Sequence, residues 1–193
     1  ELAFVEKGFG AERRDLMYND FVTVGPSDDP AGAGQADSID AAFRKIADAR
    51  APFVSRGDNS GTHKAERRLW HDAGIAVADH SGDWYREVGA GMGATLNTAS
   101  VMNAYTLADR ATWLAFGNKG DLRIVREGDP RLFNPYGVIL VNPNRFAHVK
   151  EKDARTFMNW LTGEGGQAAI SSFRIQGRQV FFPTRNNYCA HGN

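Results

Sequence analysis

Residues Ser55 to His63 (SRGDNSGTH) gather the side chains of this sequence best suited to chemistry. Arg56 offers a full positive charge and a planar fork of donors, the combination that holds a tetrahedral dianion. Ser60 and Thr62 bring hydroxyls, and Gly57 and Gly61 let the backbone come close to a ligand. The segment is wedged between an expected strand, Pro52 to Ser55, and an expected helix, His63 to Ala73. At such a junction the first N–H groups of the helix are unpaired and the helix dipole is positive, which makes an anion cradle. Ser60 or Thr62 can cap that helix and also donate to a ligand. The same residues equally suit an ordinary strand-to-helix connection, with a Ser or Thr cap and an Arg56–Asp58 surface pair. The RGD tripeptide is too short to signify cell adhesion.

A second glycine-rich segment, Gly89 to Ala94 (GAGMGA), opens another helix. It fits G-x-G-x-x-A, with Asp109 downstream at a tolerable spacing for a dinucleotide fingerprint. The preceding residues, Asp83 to Val88, lack the pattern of a buried strand. A second helix N-terminus aimed at the same anion is the better functional reading, and a plain glycine-rich helix cap is its alternative. The histidines at 63, 71, 80, 148 and 191 form no His-x-x-x-His or His/Cys cluster, so no zinc site is expected. Ser60 and His63 stand three apart at a helix start, without an orienting acid or a G-x-S-x-G elbow. No catalytic residue is assigned.

The elements that position these segments alternate between helical and strand patterns with short Gly, Asp and Pro breaks, the mark of an α/β fold. Glu1 to Glu6 with Gly8 reads as the tail of a helix. Met17 to Val24 is a strand closed by Gly25-Pro26 and followed by a loop. Ile39, Ala42, Phe43, Ile46 and Ala47 repeat as one buried helical face after Ser38. In the helix after the anion loop, Ala65, Leu69 and Ala73 share a face, with Gly74 as cap. Gly93 to Ala104 is helical. Thr106 and Asp109 suggest a capping box for the helix carrying Trp113 and Leu114. Leu122 to Val125 and Tyr136 to Val141 are expected strands. Ala154, Phe157, Met158 and Leu161 mark a helix broken at Gly163, a further helix follows around Gln167 to Phe173, and Gln179 to Phe182 is a closing strand. The four tryptophans, Trp70, Trp84, Trp113 and Trp160, are expected in the core. Two β-rich runs, FVTVGP and PYGVILVNP, bracket the middle of the chain and can carry it out of one lobe and back.

The 193 residues balance 23 basic against 23 acidic side chains. That balance removes the broad field nucleic-acid or anionic-membrane binding would use, so any anion site must be local. Apolar runs are only a few residues long, which argues against a segment spanning a bilayer. Cys189 is the single cysteine, so no internal disulfide forms. A chain of this length buries roughly 70% of its unfolded surface and needs no disulfide or structural metal. Glu1 falls inside a helical pattern, so the beginning is expected to be missing and the absence of a signal peptide says nothing.

Taken in order, MYNDFVTVGPSDDPAG, FVSRGDNSGTHKAERRLW, WYREVGAGMGATLNTAS, NAYTLADRATWL and LFNPYGVILVNP resemble the tungstate-binding substrate-binding proteins of ABC transporters. The resemblance runs from about Glu1 to Pro183. It implies an α/β, type II periplasmic-binding-protein-like fold, two lobes joined by crossing strands that close over an oxyanion. Residues 1–24 and 139–193 would form the first lobe, and 25–138 the second, carrying the anion loop. By the same resemblance Arg56 is the ligand arginine, Thr62 a hydroxyl or N–H donor with Ser60 and Gly61 beside it, and the second loop approaches the ligand through Gly89, Ala90 or Gly91. The implied ligand is tungstate or molybdate, bound without catalysis and with no other cofactor. The implied partner is an ABC permease, and the implied location is periplasmic or extracellular. Asp58 is expected to pair with Arg56 or a backbone N–H, since a carboxylate facing the ligand would favour phosphate. Family members begin with a strand, a Thr/Ser-rich loop of the type TTTS and a long helix. Nothing of that kind precedes Glu1, so the first lobe is expected to be incomplete, with a sheet edge open to swapping or dimerisation. The alternatives are a phosphate- or sulfate-type sensor, or an enzyme reusing the fold on a phosphorylated substrate.

Overall fold

A computed structural model describes residues 1–184; Cys189 and His191 lie outside the described residues. The chain divides into two compact units, residues 20–133 and residues 1–19 with 134–193. The first boundary falls within the long strand β1, Gly10–Pro26, and the second at the start of β6, Phe133–Val141.

In residues 20–133, the end of β1 pairs antiparallel with β4, Thr106–Asp109, through Phe21↔Asp109 to Val24↔Thr106. On its other side it pairs with β5, Leu122–Arg126, across a bulge at Thr23/Val24. A shorter sheet joins β2, Phe53–Ser55, in parallel to β3, Tyr85–Glu87. A parallel bridge ties Phe53 to Tyr105, just before β4. Parallel strands buried on both faces need apolar side chains pointing each way, and β2 supplies them in consecutive residues. Phe53 enters a cluster with Phe43, Ile46, Trp70, Trp84 and Tyr85, while Val54 enters a second with Met92, Leu96 and Ala99. Helix α2, Ile39–Asp48, starts where the Ser38 hydroxyl accepts the Ala41 N–H, and its Ile39, Ala42, Phe43 and Ile46 are fully buried. Phe43 and Trp70 lie 4.4 Å apart, centroid to centroid, and Phe53 and Trp70 5.0 Å. Helix α3, Gly61–Asp72, closes this cluster, and α4, Met92–Met102, closes the other.

In the other unit, α1 is Leu2–Glu6, and the first part of β1 pairs with β6 and, at Met17 and Tyr18, with β9, Phe182–Pro183. Helices α6, Glu151–Thr162, and α7, Glu164–Ser172, meet where Gly166 lies against the Leu161 backbone. The buried amide of Gln167 donates to the carbonyls of Leu16 and Leu161. Among the described residues the buried hydrophobic ones here are Leu140, Met158 and Val180, whereas Phe157 and Trp160 stack on each other in solvent.

Four expectations need correction. Thr106 lies in β4; Asp109 alone caps α5, Arg110–Ala115, by accepting the Thr112 N–H. Asp83 to Val88 does contain a strand, because Tyr85 is drawn into the core beside β2. Trp160 is about half exposed, since the face it shares with Phe157 has no cover among the described residues. The closing strand is split: Gln179 ends β8, Arg178–Gln179, in a hairpin with β7, Arg174–Ile175, whereas Phe182 joins β1 and Val180 turns inward between them.

Gly25 in β1 lies under the Tyr105 ring; a Cβ there would stand 2.4 Å from its Cδ1. The ring cannot yield, because its hydroxyl donates to Asp29 Oδ1 at 2.7 Å and accepts the Ala31 N–H at 3.0 Å. Gly25→Ala should therefore destabilise residues 20–133 by about 1–3 kcal/mol through overpacking. Denaturant unfolding measures this, and an unchanged midpoint would show that the ring moves freely.

Candidate functional site

The backbone leaves β2 at Ser55 and must reverse sharply to start α3. Gly57 makes the reversal at φ +62, and a Cβ there would stand 2.7 Å from Glu87 Cβ, so no other residue fits without strain. Beneath the turn, Ser55 is fully buried, and its Oγ accepts the Gly57 N–H at 3.2 Å while donating to Glu66 Oε2 at 2.8 Å. Tyr85 OH donates to the other oxygen, Glu66 Oε1, at 2.7 Å.

Above the turn, Arg56 folds back on Asp58: Nη2 donates to Oδ2 at 2.6 Å and Nε to the same oxygen at 3.2 Å. Asp58 Oδ1 accepts the Ser60 N–H at 3.0 Å. Hydrogen bonding from Ser60, through its hydroxyl and its N–H, and the Arg56 guanidinium pull the Asp58 pKa down to about 2. This carboxylate is therefore ionised at neutral pH. Among the described residues Nη1 of Arg56 makes no hydrogen bond, so one edge of the guanidinium fork remains for a second acceptor.

Ser60 is the N-cap of α3, accepting the His63 N–H at 3.2 Å. Its hydroxyl thus serves the cap and Asp58. The N–H groups of Gly61 and Thr62 and the Thr62 hydroxyl make no hydrogen bond among the described residues. His63 Nδ1 sits on the Asp58 carbonyl rather than on a hydroxyl, so Ser60 has no base beside it.

The second glycine loop is bonded to the first. Val88 N–H donates to the Ser55 carbonyl at 3.0 Å and Ala90 N–H to the Arg56 carbonyl at 3.2 Å. The Ala90 amide is therefore engaged within the protein. Gly91 is the N-cap of α4 and has no side chain to cap it. The first-turn amides of Met92, Gly93 and Ala94 thus lack a side-chain partner at a positive helix end. Asp109, the acid a dinucleotide fingerprint would require, is occupied as the cap of α5.

Of the residues singled out from sequence, Ser60, Gly61 and Thr62 form the cap and first turn of α3, Arg56 is linked to that cap through Asp58, and Ala90 and Gly91 lie on a loop hydrogen-bonded to theirs. The residue sequence reasoning overlooked is Glu66. Ala65, Leu69 and Ala73 do pack on one cluster, but the buried face of α3 also takes in Trp70 and Glu66, so a carboxylate lies along the apolar face. That misplaced charge was the available signal.

A buried parallel strand thus ends in an Arg/Gly/Ser loop at a helix start, and a second open helix start is tied to that loop by backbone hydrogen bonds. The chain belongs to the PBP superfamily: residues 1–164 match the model described as PBP superfamily domain. It is 48% identical to a Haloferax volcanii protein described as ABC transporter anion-binding, over 93% of this chain and 53% of that protein. It is 43% identical to the tungstate-binding protein TupA of Peptoclostridium acidaminophilum, over 95% of this chain and 64% of the relative. Among solved structures, the tungstate-binding protein TupA of Desulfovibrio alaskensis G20 superposes with a TM-score of 0.79 at 42% identity, covering 94% of this chain and 74% of that one. The chain thus spans between about half and two thirds of the length of these curated relatives.

Burial, opposed by the hydrogen bonds from Tyr85 and Ser55, raises the Glu66 pKa from 4.5 to about 7. The folded protein then binds more protons than the unfolded chain between those values, so this contribution to stability falls as pH rises through that window. Glu66→Gln is expected to flatten that part of the stability–pH curve. Identical slopes for the two proteins in urea titrations would refute it.

Proposed function

We propose that this chain holds a tetrahedral dianion, tungstate or molybdate, as part of a substrate-binding protein for ABC-type uptake, and that it performs no catalysis. The observation that carries this reading is Arg56. One edge of its guanidinium is pinned by an ionised Asp58, which also accepts the Ser60 N–H at the cap of α3, and among the described residues Nη1 is unbonded. Backbone donors and one half-neutralised cation replace the hydration of a dianion without adding an excess of positive charge.

Asp58 supports the choice of ligand. Its oxygens are occupied by Arg56 and Ser60, and its low pKa makes it a poor resting place for a proton. Hydrogen phosphate carries a proton that needs a buried acceptor, so the loop suits fully deprotonated oxyanions. Discrimination against sulfate, whose central-atom–oxygen bonds are shorter, would come from the size of the space the donors enclose. The relatives named for tungstate point the same way. A permease partner and a place outside the cytoplasmic membrane belong to this same proposal; among the described residues no helix is long and apolar enough to cross a membrane.

Titration calorimetry on the purified chain tests it. Tungstate should bind more tightly than phosphate, and Arg56→Ala should weaken tungstate by about 10- to 100-fold, the worth of a charge-assisted hydrogen bond. Phosphate binding more tightly than tungstate, or an Arg56→Ala variant with unchanged affinity, rejects the reading.

A further inference from the structure

We propose that Glu66 is a positioning residue for the anion loop, a carboxylate beneath the site that fixes the turn at Gly57 through Ser55 and steadies both ligand-facing loops. The inference rests on the oxyanion-binding reading above and concerns the same site.

The geometry is a relay across three elements. Glu66 is 1% exposed on α3, and its two oxygens accept from Ser55 at the end of β2 and from Tyr85 at the start of β3. Those strands lead directly into the two glycine loops, at Arg56-Gly57 and Gly89-Ala90-Gly91. An ionised carboxylate only accepts, so it obliges both hydroxyls to donate to it. The Ser55 oxygen then keeps a lone pair for the Gly57 N–H, which holds the left-handed turn and with it the backbone on which Arg56 and Asp58 are mounted. A hydroxyl that donates to a carboxylate is also the stronger acceptor.

Protonation changes this arrangement. The acid's own hydrogen must go to Ser55 or Tyr85; whichever hydroxyl accepts it can no longer donate to that carboxyl oxygen and must turn its own hydrogen away, which on Ser55 reorients the oxygen that holds the Gly57 N–H. The groups facing Glu66 are Ser55 from β2, Tyr85 from β3 and, from its own helix, His63 and Trp70. Neither partner that hydrogen-bonds its oxygens carries a positive charge. Burial accordingly places its titration near 7.

The test is tungstate affinity by calorimetry across about one pH unit either side of 7, for the wild-type chain, Glu66→Gln, Ser55→Ala and Arg56→Ala. At the alkaline end Glu66→Gln and Ser55→Ala should each weaken tungstate by about tenfold or more. Wild-type affinity should fall toward the Glu66→Gln value on acidification, while Glu66→Gln stays flat. A merely structural carboxylate would lower the unfolding midpoint and leave the affinity of the folded protein and its pH profile unchanged. His63 is intact in Glu66→Gln, so a pH dependence that survives there overturns the proposal, as does affinity that improves on acidification. Where Glu66→Gln fails to fold, Ser55→Ala decides, and its unchanged affinity overturns the proposal. Loss of binding in Arg56→Ala with full binding in Glu66→Gln rejects the positioning role alone. Absence of tungstate binding by the wild type at every pH rejects both readings.

Discussion

A helix start that leaves its N–H groups unpaired conflicts with the need to satisfy every polar group buried next to it. In residues 20–133 this conflict is resolved at the end of β2. Phe53 and Val54 bury their side chains on opposite faces of the strand, so the next residue, Ser55, is also drawn inside. A buried hydroxyl needs partners, and Ser55 finds them in Glu66 below and the Gly57 N–H above. The turn that follows is thus tied to the core, although the amides it leads to remain open.

Charge is managed in the same local way. Arg56 is the cation of the loop, and Asp58 two residues later removes half of its fork and much of its charge. The remaining positive potential comes from helix starts, which hold only partial charges and need no counter-ion. The two starts involved belong to α3 and α4, whose preceding loops are hydrogen-bonded to each other through Val88–Ser55 and Ala90–Arg56. Because β2 and β3 are parallel neighbours, their C-terminal ends lie side by side, and the loops leaving them share one edge of the sheet.

The two units differ in how much apolar surface they bury. Residues 20–133 contain both hydrophobic clusters, one built around Phe43, Phe53, Trp70, Trp84 and Tyr85 and the other around α4. In residues 1–19 and 134–184 the described core is small, and Phe157, Trp160 and Phe173 remain exposed. Helix α6 carries the regular apolar spacing of a packed helix, yet of that stripe Met158 alone is buried.

Much of the local structure was legible from residue order. Ser38 followed by apolar residues at helical spacing specified α2 and its cap, because capping and periodicity act within one or two turns. The Ser60 cap, the Gly57 turn and the Arg56–Asp58 pair are of the same kind, involving residues two or three apart. Thr106, Trp160 and Tyr85 were misplaced because pattern reports which residues share a face and is silent on what that face meets. Tyr85 sits in a three-residue strand with too few positions to show a period, and only pairing with β2 makes it one. The sequence by itself thus determined the loop from Arg56 to Ser60, its ion pair, its helix cap and the backbone bend at Gly57. The tertiary structure decided that Glu66 is buried, that Ser55 and Tyr85 are its partners and that Ala90 lends its amide to Arg56, since these contacts join residues 11, 19 and more positions apart. Burial and charge state depend on how such distant segments pack, and that packing is a property of the folded whole.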